Sequence, residues 1–123
     1  MSERSISRTL GVDPGGKTGW SNGKYYGQLP AIDFLVWLDT NIHLYDRVAM
    51  ERFSTRKLTP DSEETLELVG AVKWICHKAR VSVGMVQASA RYRSMSSVSD
   101  HIEGKHAIDA EAVRLWDLEY GTW

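Results

Sequence analysis

The chain has 123 residues, enough for one domain with a core and too few to divide into two. Its 42% hydrophobic and 25% charged content excludes disordered and collagen-like classes. A formal net charge of -1 offers no bulk basicity, so a nucleic-acid partner would require a local basic face or bound metal ions.

The longest unbroken apolar run, Phe34 to Leu38, falls far short of the roughly 20 residues that cross a bilayer. The single cysteine, Cys76, cannot close an internal disulfide, and Met1 to Arg8 is too polar for a secretory signal. The expectation is a cytoplasmic protein, with no membrane partner, in one domain covering 1–123.

Ile6 to Asp13 reads as a strand with Ile6, Leu10 and Val12 as its apolar members, ended by the turn Pro14-Gly15-Gly16. Lys17–Ser21 and Lys24–Leu29 read as two short strands joined at Asn22-Gly23, a strong hairpin signal. A helix is predicted from Pro30 to about Ile42, with Ile32, Leu35, Val36 and Leu38 as its apolar stripe. Arg47–Phe53 is a fourth strand, followed by the polar, linker-like stretch Arg52 to Ser62. A longer helix starts near Asp61, where Asp61 and Glu64 have capping-box spacing, and runs to about Arg80 with Leu68, Val72, Ile75 and Ala79 at helical period. Val81–Val86 is a fifth strand. Ala88–Ser99 reads as a short helix and a loop, and His106–Glu119 as a last helix with Ile108, Ala112, Leu115 and Trp116 toward the core. The order predicts an α/β fold, a mixed sheet covered by helices.

Three acids in this order have a route to one another. Asp13 closes the first strand and Glu51 lies near the end of the fourth, while Asp109 sits in the first turns of the last helix, three positions after His106. If a crossover helix makes strands one and four parallel neighbours, their carboxyl ends place Asp13 beside Glu51, and the last helix adds Asp109 by packing across them. Such carboxylates repel and raise one another's pKa unless cations intervene. Hard divalent ions relieve that repulsion, and a pair of them roughly 4 Å apart suits in-line displacement at phosphorus. The glycines after Asp13 would let backbone or a phosphate approach closely. Taken singly, each feature also has an ordinary structural reading: a strand-ending turn, a solvated glutamate, an acid favoured by a helix dipole.

Together these residues resemble the RuvC-like Holliday junction resolvases of the RNase H-like fold, above all their short phage-encoded members. Leu10-Gly11-Val12-Asp13-Pro14-Gly15 with Thr18-Gly19-Trp20 resembles that family's opening strand, aspartate, Pro-Gly turn and second strand. Val48-Ala49-Met50-Glu51 is similar to its central strand, and His106-Ala107-Ile108-Asp109-Ala110 to its closing helix. Gln87-Ala88-Ser89 with Arg91 is similar, more loosely, to a segment of the family that lies near DNA.

The resemblance implies a mixed five-stranded sheet, three antiparallel strands plus two parallel, flanked by helices. It implies a metal-dependent endonuclease that resolves Holliday junctions or other branched DNA as a homodimer. Asp13, Glu51 and Asp109 would be catalytic metal-binding carboxylates, with His106 as a fourth ligand or a proton donor. Two Mg²⁺ or Mn²⁺ ions would serve each site. Arg52, Arg56 and Lys57 on one side, and Ser89, Arg91, Arg93 and Lys105 on the other, would contact DNA. Trp74, off the apolar stripe of its helix, is either a dimer anchor or part of the monomer's packing.

Other readings stand beside this one: a same-fold nuclease for flap DNA or structured RNA, and a catalytically silent DNA-binding module. The stretch Gly11 to Gly19 also resembles the first phosphate loop of the actin and sugar-kinase ATPases, which need two such domains.

Overall fold

Five strands of five residues each form one sheet in the computed structural model, which describes residues 8–122. They are β1 (Thr9–Asp13), β2 (Lys17–Ser21), β3 (Tyr26–Pro30), β4 (Arg47–Glu51) and β5 (Ser82–Val86), in the spatial order β3-β2-β1-β4-β5. β1 to β3 pair antiparallel, whereas β4 lies parallel to both β1 and β5. The first crossover uses helix α1 (Ala31–Asn41) and the second uses α2 (Pro60–Ala79). After β5 come a four-residue helix α3 (Ala88–Arg91), a 3₁₀ stretch Tyr92–Ser97, and the long helix α4 (Lys105–Tyr120). No helix among the described residues is long and apolar enough to cross a membrane.

The pleat divides the sheet into two unlike faces, because successive side chains point to opposite sides. Leu10, Val12, Val48 and Met50 face one way and form the main core with Phe34 and Leu38 of α1 and Leu68, Val72 and Ile75 of α2. The alternate residues are small: Gly11, Ala49 and Gly84 stand in register across β1, β4 and β5. That flat face receives α4. A Cβ on Gly11 would overlap the Ala110 carbonyl oxygen and lie 2.8 Å from the Arg114 Cβ. Glycine at this site lets the helix rest on the strand backbone.

Several local expectations are corrected. The first strand starts at Thr9, and Ile6 lies outside the described residues. The β2–β3 connection spans Asn22 to Tyr25 rather than two residues. Asn22 N–H donates to the Tyr25 carbonyl, the Asn22 side chain accepts from Lys24 and Tyr25 N–H, and Gly23 takes a φ of 93°.

In α1 the buried residues are Ala31, Phe34 and Leu38; Ile32 and Val36 are 69% and 65% exposed. The helix is apolar on more than one side, and the bulkier Phe34 and Trp37 direct it. Trp37 stacks on Trp20 of β2 with centroids 4.3 Å apart, which turns Ile32 and Val36 outward.

The cap of α2 is Thr59, whose hydroxyl accepts from Ser62 N–H while the Ser62 hydroxyl accepts from Thr59 N–H, with Pro60 in the first turn. Asp61 lies two residues inside that cap. The helix ends where Arg80 takes a left-handed φ of 59°, which leaves Ala79 exposed.

α4 buries Ala107, Ala110, Ala112 and Val113 together with the acids Asp109, Glu111 and Asp117, whereas Ile108, Leu115 and Trp116 are half-buried. The acids are tolerated because each has a cation or donor. Asp117 accepts from Arg47 Nε and Nη2 at 2.7 and 2.9 Å. Glu111 accepts from Arg114 at 2.6 and 2.7 Å and from the Ser21 hydroxyl at 2.8 Å. Pairing offsets the desolvation cost that either charge would carry alone.

Candidate active site

Asp13 and Glu51 each follow the last register partners of the β1–β4 pair, Val12 and Met50, by one residue. The pleat aims both side chains at the α4 face, two positions beyond Gly11 and Ala49. α4 supplies the other side. Its first residues are aimed by Gly104, which has a φ of 92°, and by the Gln28 side chain on β3, which accepts from His106 N–H at 2.8 Å. Gly19 of β2 lies beneath His106 with no Cβ to push the helix away. Those contacts set His106 Nδ1 3.0 Å from Asp13 Oδ2 and bring Asp109, one turn later, to the same end of the sheet. Gln28, Gly19 and Gly104 were not singled out as site supports from the sequence. Gly19 belongs to the Thr18-Gly19-Trp20 motif, but the contacts all three make around the start of α4 are visible only once β2 and β3 are paired.

A fifth component is Arg91, at the end of α3. Its guanidinium pairs with Glu51 through Nη1, and Nη2 lies 3.7 Å from Asp109 Oδ2. The resemblance implies that Arg91 contacts DNA, with Ser89, Arg93 and Lys105. Instead its side chain is 14% exposed and turned into the acids.

The electrostatics are those of a crowded, partly dehydrated carboxylate site. Burial pushes the Asp13 carboxyl above its ordinary range; the Asp109 charge adds to this, and the His106 hydrogen bond and Arg91 only partly offset it. Burial also raises Glu51, with the Asp13 charge next, against the attraction of Arg91; the two carboxyls are close enough to share a hydrogen bond. Burial lowers the Arg91 pKa, but the Glu51 and Asp109 charges outweigh it and hold the guanidinium firmly protonated.

Carboxylate oxygens with one imidazole are the donor set a hard divalent ion takes. The chemistry of the donors therefore fits such an ion. Their present arrangement is closed: among the described residues no group of three or more His, Cys, Asp or Glu is set to hold a metal ion, and Arg91 stands between Glu51 and Asp109.

The expected DNA contacts fall in two groups. Arg52, Arg56 and Lys57 are exposed on the segment after β4, and Ser89, Arg93 and Lys105 are exposed around α3 and the start of α4. The glycines after Asp13 act locally: the Thr18 hydroxyl donates to the Gly15 carbonyl at 2.8 Å, the Gly16 carbonyl accepts from Ala31 N–H, and neither glycine has a positive φ.

No protein-family model matches the chain, and no curated protein matches it. Solved structures do. Thermus thermophilus RuvC in complex with Holliday junction substrate aligns with a TM-score of 0.67 at 17% identity, over 88% of this chain and 90% of that one. The chain has the RuvC-like, RNase H-type fold. A second Thermus thermophilus RuvC structure aligns at a TM-score of 0.58 and 15% identity, over 88% and 91% of the two chains. The RuvC-like fold accounts for the mixed sheet, its flanking helices and the α4 face on which the four candidate residues gather.

Proposed function

We propose that the chain is a single-domain, divalent-metal-dependent endonuclease acting on branched DNA, with four-way junctions as its preferred substrate. One observation carries the reading: Asp13, Glu51 and Asp109 come from two adjoining strand ends and one helix and meet beside His106. The RuvC-like fold supports it, because one protein of that fold is known in complex with a Holliday junction substrate.

Asp13, Glu51 and Asp109 would hold Mg²⁺ or Mn²⁺, two ions in this reading, and the bound metal would supply an activated water and charge stabilisation for phosphodiester hydrolysis. His106 is oriented for its part. With Nδ1 hydrogen-bonded to Asp13, Nε2 is the ring nitrogen left to ligate or to give a proton to the departing oxygen. Arg52, Arg56 and Lys57 on one side, and Ser89, Arg93 and Lys105 on the other, would hold phosphates and make binding salt-sensitive.

Paired cuts on a junction require two sites related by a two-fold axis, so a homodimer is part of the proposal. Leu66, Gly70 and Trp74 follow one another at helical spacing on the exposed side of α2 and are its candidate interface, with Trp74 59% exposed.

The closed acid cluster also supports a second reading, a junction-binding module without catalysis. A substrate panel separates the two. A four-way junction, a flap, a linear duplex and an RNA hairpin are incubated with the chain in Mg²⁺ and then Mn²⁺. Preferential cutting of the junction is expected; preference for flap or RNA redirects the substrate, and binding without cutting in either metal establishes the silent module.

A further inference from the structure

The described chain has three arginines buried against acids, and they divide into two kinds. Arg47 and Arg114 each present Nε and Nη2 to both oxygens of one carboxylate, the planar fork that fixes an arginine in place. Arg91 does not. It offers one terminal nitrogen to Glu51 and the other, at 3.7 Å, to Asp109, while its Nε is buried without a hydrogen-bond partner. A buried donor left unmet opposes the position that the ion pairs favour. Arg91, on a helix of four residues, is thus held by a one-nitrogen pair to Glu51, the longer-range pull of Asp109 and its neighbour Tyr92, whose exposed ring lies 5.2 Å from the guanidinium.

The charge balance makes that hold conditional. Arg91 brings a single positive charge to three carboxylates, whereas a divalent ion brings two to the same oxygens with shorter contacts. We propose that Arg91 is a displaceable counter-ion, occupying the space between Glu51 and Asp109 in the metal-free chain and driven out when a divalent cation enters. This rests on the metal-site reading given above. Once expelled, the guanidinium joins Arg93 on the surface around α3, where it meets substrate phosphate. Metal loading and DNA affinity are thereby coupled, and by linkage each strengthens the other.

The test is calorimetric titration of the full chain with Mg²⁺ and with Mn²⁺, without DNA, for the wild type, Arg91→Gln, Arg91→Lys and Asp13→Asn. Removing the competitor in Arg91→Gln is expected to tighten metal binding on the order of tenfold, while Arg91→Lys, which keeps the charge, stays near the wild type. Metal binding that is equal or weaker in Arg91→Gln, yet lost in Asp13→Asn, overturns the counter-ion and leaves the metal site standing. Absence of binding in both wild type and Arg91→Gln overturns both. Should Arg91→Gln not fold, arginine side-chain NMR on the wild type decides. The Arg91 guanidinium resonance is expected to move to an exposed position at saturating Mg²⁺, and a stationary resonance refutes the displacement.

Discussion

Gly19 lies directly beneath His106: a Cβ added to Gly19 would overlap the His106 carbonyl oxygen and stand 2.7 Å from the His106 Cβ. Backbone on α4 cannot yield to a methyl group without lifting the start of the helix off β2. Gly19→Ala is therefore expected to destabilise the fold by about 1–3 kcal/mol, the usual cost of overpacking. It should also break the His106–Asp13 hydrogen bond and impair cleavage more than stability alone would. Thermal unfolding and junction nicking measured on the same preparation check this; an alanine variant with wild-type nicking would show that the helix start has room to move.

Asp13→Asn is expected to abolish cutting while leaving junction binding in place. It also has a stability signature in the metal-free chain. Burial raises the Asp13 pKa on folding, so its ionised form disfavours the folded state. That penalty is absent below the unfolded-state value of 3.8, grows as pH rises past it, and is complete above the raised folded value. Asp13→Asn should thus raise the melting temperature at pH 7, by a few degrees, and have almost no effect at pH 3. Melting curves across that range, in chelator, provide the comparison. A variant that melts lower than wild type at neutral pH would contradict the assigned cause.

Arg47 and Asp117 tie β4 to α4 through a buried bidentate pair. Truncating one partner leaves the other as an uncompensated charge, so Asp117→Ala is expected to cost about 3–5 kcal/mol. Replacing both with apolar residues of similar volume, Arg47→Met with Asp117→Leu, should recover most of that loss. Denaturant unfolding of the three variants reads the difference, and additive losses in the double variant would mean that the pair is not the unit of stability.

Trp74→Glu is expected to leave the monomer folded, since Trp74 is outside the core, and to turn a dimer into a monomer in sedimentation. On a junction the variant should then nick single strands instead of making paired cuts. A wild-type chain that already sediments as a monomer removes α2 as the interface.

The parts of the fold legible from the sequence were those with local signals. Asp13 and its Pro-Gly turn, the Asn22-Gly23 hairpin and the apolar Val48–Met50 run each mark a strand end or a strand without reference to anything distant. The outward face of α1 was not legible. Ile32 and Val36 are as apolar as Phe34 and Leu38, and only the Trp20–Trp37 stack decides which side is in. The capping box was displaced from Asp61 to Thr59 because registers two residues apart both offer capping side chains and Pro60 selects one. Convergence of Asp13 with Glu51 was readable through the parallel crossover. The inward turn of Arg91 was not, since a short helix after a strand can aim its last side chain either way, and the neighbouring acids decide.

The acids at the site ride on two bodies, and this has a mechanical consequence. Asp13 and Glu51 belong to hydrogen-bonded neighbouring strands, so their separation is locked. His106 and Asp109 travel together on a single rod whose backbone lies close against Gly11 and Gly19. The width of the catalytic gap is then governed by one degree of freedom. Its stops are polar pins: Ser21 on Glu111 and Arg47 on Asp117 along the helix, and Gln28 on the His106 amide at the site itself. Loosening the Ser21–Glu111 pin would retune the gap without touching any residue that lines it.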